Sequence, residues 1–465
     1  MKFFHLNLFL GFVETEKGET EEPPIKFSMH LIDKLISCLG ETITIPLLSK
    51  IILQMVKIDD WRYKHAALMA LSQVGEYVSD VVEMDPIVQF ILNFISDMHP
   101  KVRYAALHAI GQISDDMHPE FQQRFHTVVL GPLIASVKDS VPRVAAHALA
   151  ALTNFLEGAP KAAVAGKIAE ILELCLQFLH NGISLIKENA MSTISALAEA
   201  SHRDFTQYWQ STAETVFNIL KTATQKEYKQ LRGQAIECLT LIGAAVGKEE
   251  FKKAAHEIIQ CMLEIQQGNV EESDPQKSYL LSGWQRVCII LKEDFIPYLD
   301  AILPSLFDMV EEIIKNDEKR RFGNEEDQDF VKVQSAFTGK PQPRLNVNTS
   351  ETEDLKIALN MINNFVVELR KGYLNYVERT SSIIEPLMDY SSNEEIRITA
   401  AKCFPGLIRV VKESGHVNAP QIVKNMVVKY LNILWETISS EAEPRVMAML
   451  TYSMREIIHI AGRCL

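Results

Sequence analysis

Several things are scarce or missing in this sequence, and each absence excludes a class of protein. The 7 cysteines are scattered and never spaced as CxxC, which leaves neither a disulfide framework nor a zinc-ligand pattern and points to a reduced, intracellular protein. No run reaches the roughly 18 apolar residues of a membrane span. The apolar stretch FFHLNLFLGFV at residues 3–13 is interrupted by His5 and Asn7 and is followed by acidic ETEKGETEEPP, where a signal peptide would carry small cleavage-site residues. Positive charge is in deficit, with 47 Lys and Arg against 60 Asp and Glu and a net charge of −13, so broad binding to a phosphate backbone is excluded and basic partners are favoured. There is no P-loop, GxSxG, HExxH or strand-following GxGxxG, and the 13 histidines have no partnered Cys, Ser or Asp pattern. The sequence therefore predicts no enzyme, no cofactor and no metal.

What the chain has is repetition. HPKVRYAALHAIGQISDD (99–116) is followed by VPRVAAHALAALTNFLEG (141–158), with Pro100, Lys101 and Val102 aligned on Pro142, Arg143 and Val144. From Val102, small or apolar residues fall at +3, +4, +7, +8 and +11 (Ala105, Ala106, Ala109, Ile110, Ile113), one face of a helix of 3.6 residues per turn. The same frame starts at Tyr63, Val144, Ile186 and Leu231, at offsets of 39, 42, 42 and 45 residues, returns weakly at Lys277, and is clear again at Ile396 and Val446. A second amphipathic segment lies between these copies, such as PIVQFILNFISD (86–97) and AEILELCLQFLH (169–180). A period near 40 with two helices is the signature of HEAT or armadillo repeats. The reading is an all-α HEAT-repeat α-solenoid, a right-handed superhelix of antiparallel A and B helices, with B helices starting near residues 62, 101, 143, 185 and 230. Strand patterns are absent, and a proline before several B helices (Pro100, Pro142, Pro275, Pro444) sets their start.

The organisation that follows is an irregular acidic leader (1–27), HEAT repeats (28–313), an acidic insertion with a partly disordered composition (314–354) and further repeats (355–465) that stop on an apolar B helix. His147, Trp61 and Trp284 are read as packing residues rather than as catalytic groups or ligand platforms.

Four stretches, WRYKHAALMALSQVGEYV (61–78), HPKVRYAALHAIGQISDD (99–116), QLRGQAIECLTLIGAAVGKEEF (230–251) and DPQKSYLLSGWQRVCIILKEDF (274–295), resemble the importin beta-3 branch of the karyopherin-beta nuclear transport receptors. The resemblance covers about residues 29–465 and implies a central, cargo-binding portion of such a receptor. It also implies the GTPase Ran and nucleoporins as partners, Ran-regulated release of cargo, and shuttling between cytoplasm and nucleus. The family's main Ran surface lies in amino-terminal repeats that have no counterpart here.

The register supplies the candidate site independently. Position +13 carries an acid in four successive units, Glu76, Asp115, Glu157 and Glu199, and +10 carries an amide in three, Gln73, Gln112 and Asn154. Three residues apart on a helix means one face, so a ladder of carboxylates beside a ladder of amides is expected on the concave side. The ladder ends at Ala244, Arg409 and His459. Carboxylates in a last turn oppose the helix dipole. The expected ligand is a basic segment, a nuclear localisation signal or basic cargo protein, bound to a monomer without direct nucleic-acid contact or membrane insertion. Two alternatives stay open: these acids are an ordinary solvated face, or the chain is a structural HEAT scaffold or regulatory subunit that binds a globular partner.

Overall fold

A computed structural model of the protein describes residues 24–78, 81–268, 274–322, 349–390 and 393–462. Among them there are α-helices, 3-10 turns and connecting loops, and no strand. The chain divides into two compact units at Val216/Phe217. The first holds α1 (Pro24–Leu39), α2 (Glu41–Met55), α3 (Trp61–Leu71), α4 (Asp85–Leu92), α5 (Pro100–Asp116), α6 (Glu120–Ser136), α7 (Pro142–Glu157), the short α8 (Lys161–Ala165), α9 (Ile168–Asn181) and α10 (Ser184–Ser201). The division falls inside α11 (Trp209–Thr222). The second unit holds α12 (Lys229–Val246), α13 (Lys248–Gln267), α14 (Gln276–Leu291), α15 (Leu299–Phe322), α16 (Thr349–Leu369), α17 (Val377–Ile384), α18 (Glu394–Glu413), α19 (Ala419–Ser440) and α20 (Pro444–Ala461).

The B helices are α3, α5, α7 and α10 in the first unit and α12, α14, α16, α18 and α20 in the second. Within each unit consecutive B helices pack on one another, with the A helices against them. Those predicted to start near residues 62, 101, 143, 185 and 230 start at Trp61, Pro100, Pro142, Ser184 and Lys229. Pro100, Pro142 and Pro444 occupy the first helical position, where the missing N–H costs nothing, and Pro275 is the residue just before α14. The apolar frame is the core: Val102, Ala105, Ala106, Ala109, Ile110 and Ile113 are all 0% exposed. Burying a valine or isoleucine of this kind contributes about 1.5–3 kcal/mol, and each alanine methyl less.

Small residues set how closely B helices approach. A methyl group built on Gly111 of α5 would lie 3.1 Å from Ala151 Cα of α7, tighter than ordinary carbon contacts, so a larger residue at that crossing would have to push the helices apart by a few tenths of an ångström. One repeat further, the hydroxyls of Thr153 and Thr193 meet at 3.0 Å, and Thr193 Oγ1 also donates to the Leu149 carbonyl at 3.2 Å.

A second regularity, invisible in the apolar frame, ties repeat to repeat. A cation near the start of one B helix reaches an acid in the turn before the next or, for Lys277 and Asp354, in that helix's early turns. Arg103 Nε and Nη2 bind both oxygens of Asp139 at 2.6 and 2.9 Å, Lys64 binds Asp97 at 3.1 Å, Lys277 binds Asp354 at 2.5 Å, and Arg397 binds Glu441 at 2.9 and 3.2 Å. Lys229 and Asp274 form the equivalent pair. Four of these acids also accept a backbone N–H two residues on: His99 to Asp97 (2.8 Å), Val141 to Asp139 (2.9 Å), Gln276 to Asp274 (2.9 Å) and Glu443 to Glu441 (3.1 Å). Burial alone would raise the pKa values of Asp139, Asp274 and Glu441, but these donors outweigh it and hold all three below the usual carboxylate range.

The edges of the expected insertion are helical. α15 runs on to Phe322 and α16 begins at Thr349, both inside the 314–354 stretch, and residues 323–348 lie outside the described residues. α1 likewise begins at Pro24, inside the expected leader, and residues 1–23 lie outside the described residues.

Candidate ligand-binding face

All seven candidate residues belong to the first unit, on or just after α3, α5, α7 and α10. Asp115 and Glu199 lie in the last turns of α5 and α10, Glu157 is the last residue of α7, and all three are exposed. Asp115 and Glu199 make no side-chain hydrogen bond or ion pair with another described residue. Three successive B helices therefore present a carboxylate at the same position of the repeat.

The first rung differs from expectation. α3 stops at Leu71, so Gln73 lies in the turn that follows and exposed Glu76 in a 3-10 turn, Gly75–Tyr77. Where the helix ends, Ser72 is 0% exposed with its hydroxyl bonding back to the Met69 carbonyl at 2.7 Å, and Gly75 lies against α5, where an added methyl would meet the Asp116 carboxylate at 2.9 Å. Gln73 Nε2 donates to Ser72 Oγ at 3.1 Å.

The amide ladder does not stand as a ladder. Asn154 is only 7% exposed, and its Nδ2 donates to the Gly111 carbonyl of the neighbouring B helix at 3.1 Å. Its own carbonyl accepts from Gln122 Nε2 at 3.2 Å, and the same amide reaches the Ser114 carbonyl at 2.8 Å. Asn154 pins α7 to α5, a role that a sequence position cannot reveal because it depends on the backbone opposite. Gln112 remains partly exposed and donates to Asp116 on its own helix at 2.8 Å, placing a second carboxylate beside Asp115.

Earlier along the same helices lies a group of rings. Trp61, at the start of α3, stacks on His99 at 4.3 Å with 6° between planes, and Lys101 Nζ stands 5.0 Å from the centre of the indole. Tyr104 of α5 stacks on His147 of α7 at 4.1 Å, and His108 lies 5.5 Å from His147. Burial pushes His108 down to about 3 and holds His147 well below the ordinary histidine range. Both imidazoles are neutral at physiological pH, as packing residues should be. Trp284 is 1% exposed and donates its Nε1–H to Gln266 Oε1 at 2.8 Å. Among the described residues no group of acids, histidines and cysteines has the arrangement of a metal site, and no helix is long and apolar enough to cross a membrane.

Comparison with known proteins bears on the whole chain. A HEAT-repeat family model matches residues 87–117, and the family model described as RNAPII transcription regulator C-terminal (MMS19_C) matches residues 121–243. Importin subunit beta-3 of Saccharomyces cerevisiae is 29% identical over 453 residues, 96% of this chain and 40% of that protein. A probable importin-5 homolog of Dictyostelium discoideum is 26% identical over 295 residues, 62% of this chain and 26% of that protein. The crystal structure of Kap121p superposes with a TM-score of 0.82 at 28% identity, covering 98% of this chain and 44% of that one. Kap121p has also been solved bound to Pho4p, to the SUMO protease Ulp1p and to Nup53p. This chain spans less than half the length of the relatives it matches.

Proposed function

This chain has the sequence and the fold of the karyopherin-beta family over nearly its whole length, and from that premise we propose that it acts as the cargo-contacting part of a nuclear import receptor. Its ligand is a basic segment lying along the exposed ends of α5, α7 and α10, and cargo release is under Ran control in the full receptor, which moves between cytoplasm and nucleus. The observation that carries this reading is the register of Asp115, Glu157 and Glu199, one exposed carboxylate per repeat. Packed helices stand roughly 10 Å apart, so an extended chain rising about 3.3 Å per residue would set a cation opposite successive acids every three residues. Each exposed pair is worth only about 0.2–1 kcal/mol, and affinity comes from the series. The Kap121p neighbours support the reading. One is a variant with three acids, spaced about one repeat apart, replaced by lysine; another also changes a glutamine three residues before the first of those acids, the spacing of Gln112 and Asp115.

The test is a fluorescence titration of a Lys-rich peptide at two salt concentrations with Asp115→Asn/Glu157→Gln. Affinity several-fold weaker at low salt is expected, converging with wild type as salt rises. Unchanged affinity in a folded variant returns the acids to an ordinary solvated face. The match over residues 121–243 is to a family model other than an importin's, and the second reading beside it, a structural HEAT scaffold that binds a globular partner, would show as no preference for basic over neutral peptides.

A further inference from the structure

The exposed stripe that ends in the acids begins with cations. Arg62, Lys101 and Arg143 stand 14 residues before Glu76, Asp115 and Glu157 (76−62, 115−101, 157−143), all three are exposed, and each is the second residue of its helix. At 100° per residue, 14 residues return nearly to the same face, so on α5 and α7 the two charges share one stripe about 21 Å apart at 1.5 Å per residue. The series stops at Leu185, 14 before Glu199. Lys101 makes no ion pair with a described residue, and Arg62 pairs with the Asp60 carboxylate that caps its own helix, at 3.6 Å, and stands 5.8 Å from the centre of the Trp61 ring.

Helix energetics does not explain this. The amino-terminal end of a helix is its positive pole and the carboxy-terminal end its negative pole, and a charge of the wrong sign at either is destabilising. α5 and α7 carry the wrong sign at both ends. A stripe selected for stability alone would have the opposite polarity, as α18 has, with Glu394 and Glu395 in its first turn and Lys412 in its last. Beside the cations lie the flat faces of the stacked pairs Trp61–His99 and Tyr104–His147, which stiffen the surface.

We propose that Arg62, Lys101 and Arg143, backed by the Trp61–His99 and Tyr104–His147 stacks, form a second ladder that takes an Asp/Glu-rich peptide segment running parallel to the basic one. The inference rests on the reading of the exposed B-helix face as the ligand surface and deepens it: the preferred partner carries both charge signs, in two stretches held about 20 Å apart. Charge complementarity selects a peptide over a single-stranded nucleic acid. Three cations spaced about one helix packing distance apart match carboxylates at every third residue of an extended peptide. They are too sparse for a phosphate on every nucleotide, and the acid ladder and the −13 net charge oppose a polyanion of that density.

The test uses the 465-residue chain and fluorescence anisotropy at low salt with three probes: a peptide with Glu at every third residue, its Lys counterpart, and an oligo(dT) of equal extended length. Lys101→Glu/Arg143→Glu should weaken the Glu peptide at least ten-fold, leave the Lys peptide unchanged or tighter, and keep or raise the melting temperature, because the new carboxylates agree with the helix dipole. Lys101→Gln/Arg143→Gln should give a smaller loss of the same sign and stands in if the charge reversal misfolds. Asp115→Asn/Glu157→Gln should affect only the Lys peptide, so loss of one preference without the other separates this inference from the basic-cargo reading. Failure of the wild-type chain to bind the Glu peptide, equal binding by folded charge-removed variants, or tighter binding of oligo(dT) would each overturn it.

Discussion

The two compact units use the same helical hairpin and the same ion pairs between repeats, and differ in the charges on the exposed stripe. In the first, the exposed stripes of α3, α5 and α7 begin with cations and end in exposed acids, and Asp115 of α5 and Glu199 of α10 make no side-chain hydrogen bond or ion pair with another described residue. In the second, polar groups at comparable depth bind each other. Arg286 of α14 donates to Thr240 Oγ1 of α12 at 3.0 Å and pairs with Glu237 at 3.7 Å, and Arg445 of α20 pairs with Glu395 of α18 at 2.5 Å. A charge satisfied by the neighbouring repeat stiffens the stack, and one left in water is available to a ligand. The repeat fold itself is indifferent to the choice, because the buried face that holds it together is the same in both units.

The largest effect expected from breaking this contrast lies with the internal pairs. Asp139→Ala leaves Arg103, mostly buried, without its carboxylate and also removes the acceptor of the Val141 N–H. It should cost about 2–4 kcal/mol, within the range for breaking a buried pair or charged hydrogen bond, read as a lower urea midpoint. Arg397→Ala, the matching cut in the second unit, should fall in the same range, because Glu441 is equally enclosed.

Next in size is acid sensitivity. The folded chain holds Asp139, Asp274 and Glu441 below their unfolded values, so below those values the unfolded chain binds more protons. Their contribution is complete above the unfolded carboxylate pKa of about 4 and is lost as pH falls through the depressed folded values. Urea unfolding from pH 6 down to 2 should show stability falling below about pH 4, and Asp139→Asn should make that fall shallower.

A smaller effect sharpens the contrast from the other side. Glu237→Gln in the second unit should leave Lys-peptide binding within about two-fold while lowering stability by about 0.5–1.5 kcal/mol, since this acid serves a neighbouring helix. The smallest expected effect is Asp115→Asn on stability, within about 0.5 kcal/mol of wild type by thermal melting. A large loss would show that Asp115 is structural and remove the main difference between the units.

The helices were legible because their signal is local and repeated. Five B-helix starts lie within one residue of their expected positions, since an abrupt apolar period marks each start and proline adds its signal at Pro100 and Pro142. The candidate site was half legible. Register alone placed Asp115, Glu157 and Glu199 at exposed helix ends, because the repeat frame fixes which turn of the helix each residue occupies. Register failed for Gln73 and Glu76, because α3 stops at Leu71 where the chain turns against α5, and for Asn154, whose partner is a carbonyl 43 residues away in sequence. The inter-repeat ion pairs escaped notice although Asp97, Asp139 and Asp274 all lie just before a B helix. An acid before a helix reads as a cap, and nothing local says that a cation from the preceding repeat also reaches it.

By itself, then, the sequence determined the repeat, its period, the faces that are buried and the resemblance to karyopherin-beta receptors, all of which follow from patterns spanning one or two helical hairpins. The tertiary structure alone decided which polar side chains are consumed holding repeats together and which are left to solvent. That depends on what stands opposite, often a backbone carbonyl or a charge some 40 residues away, and the free energy of a polar group is set by whether a partner meets it once water has been removed.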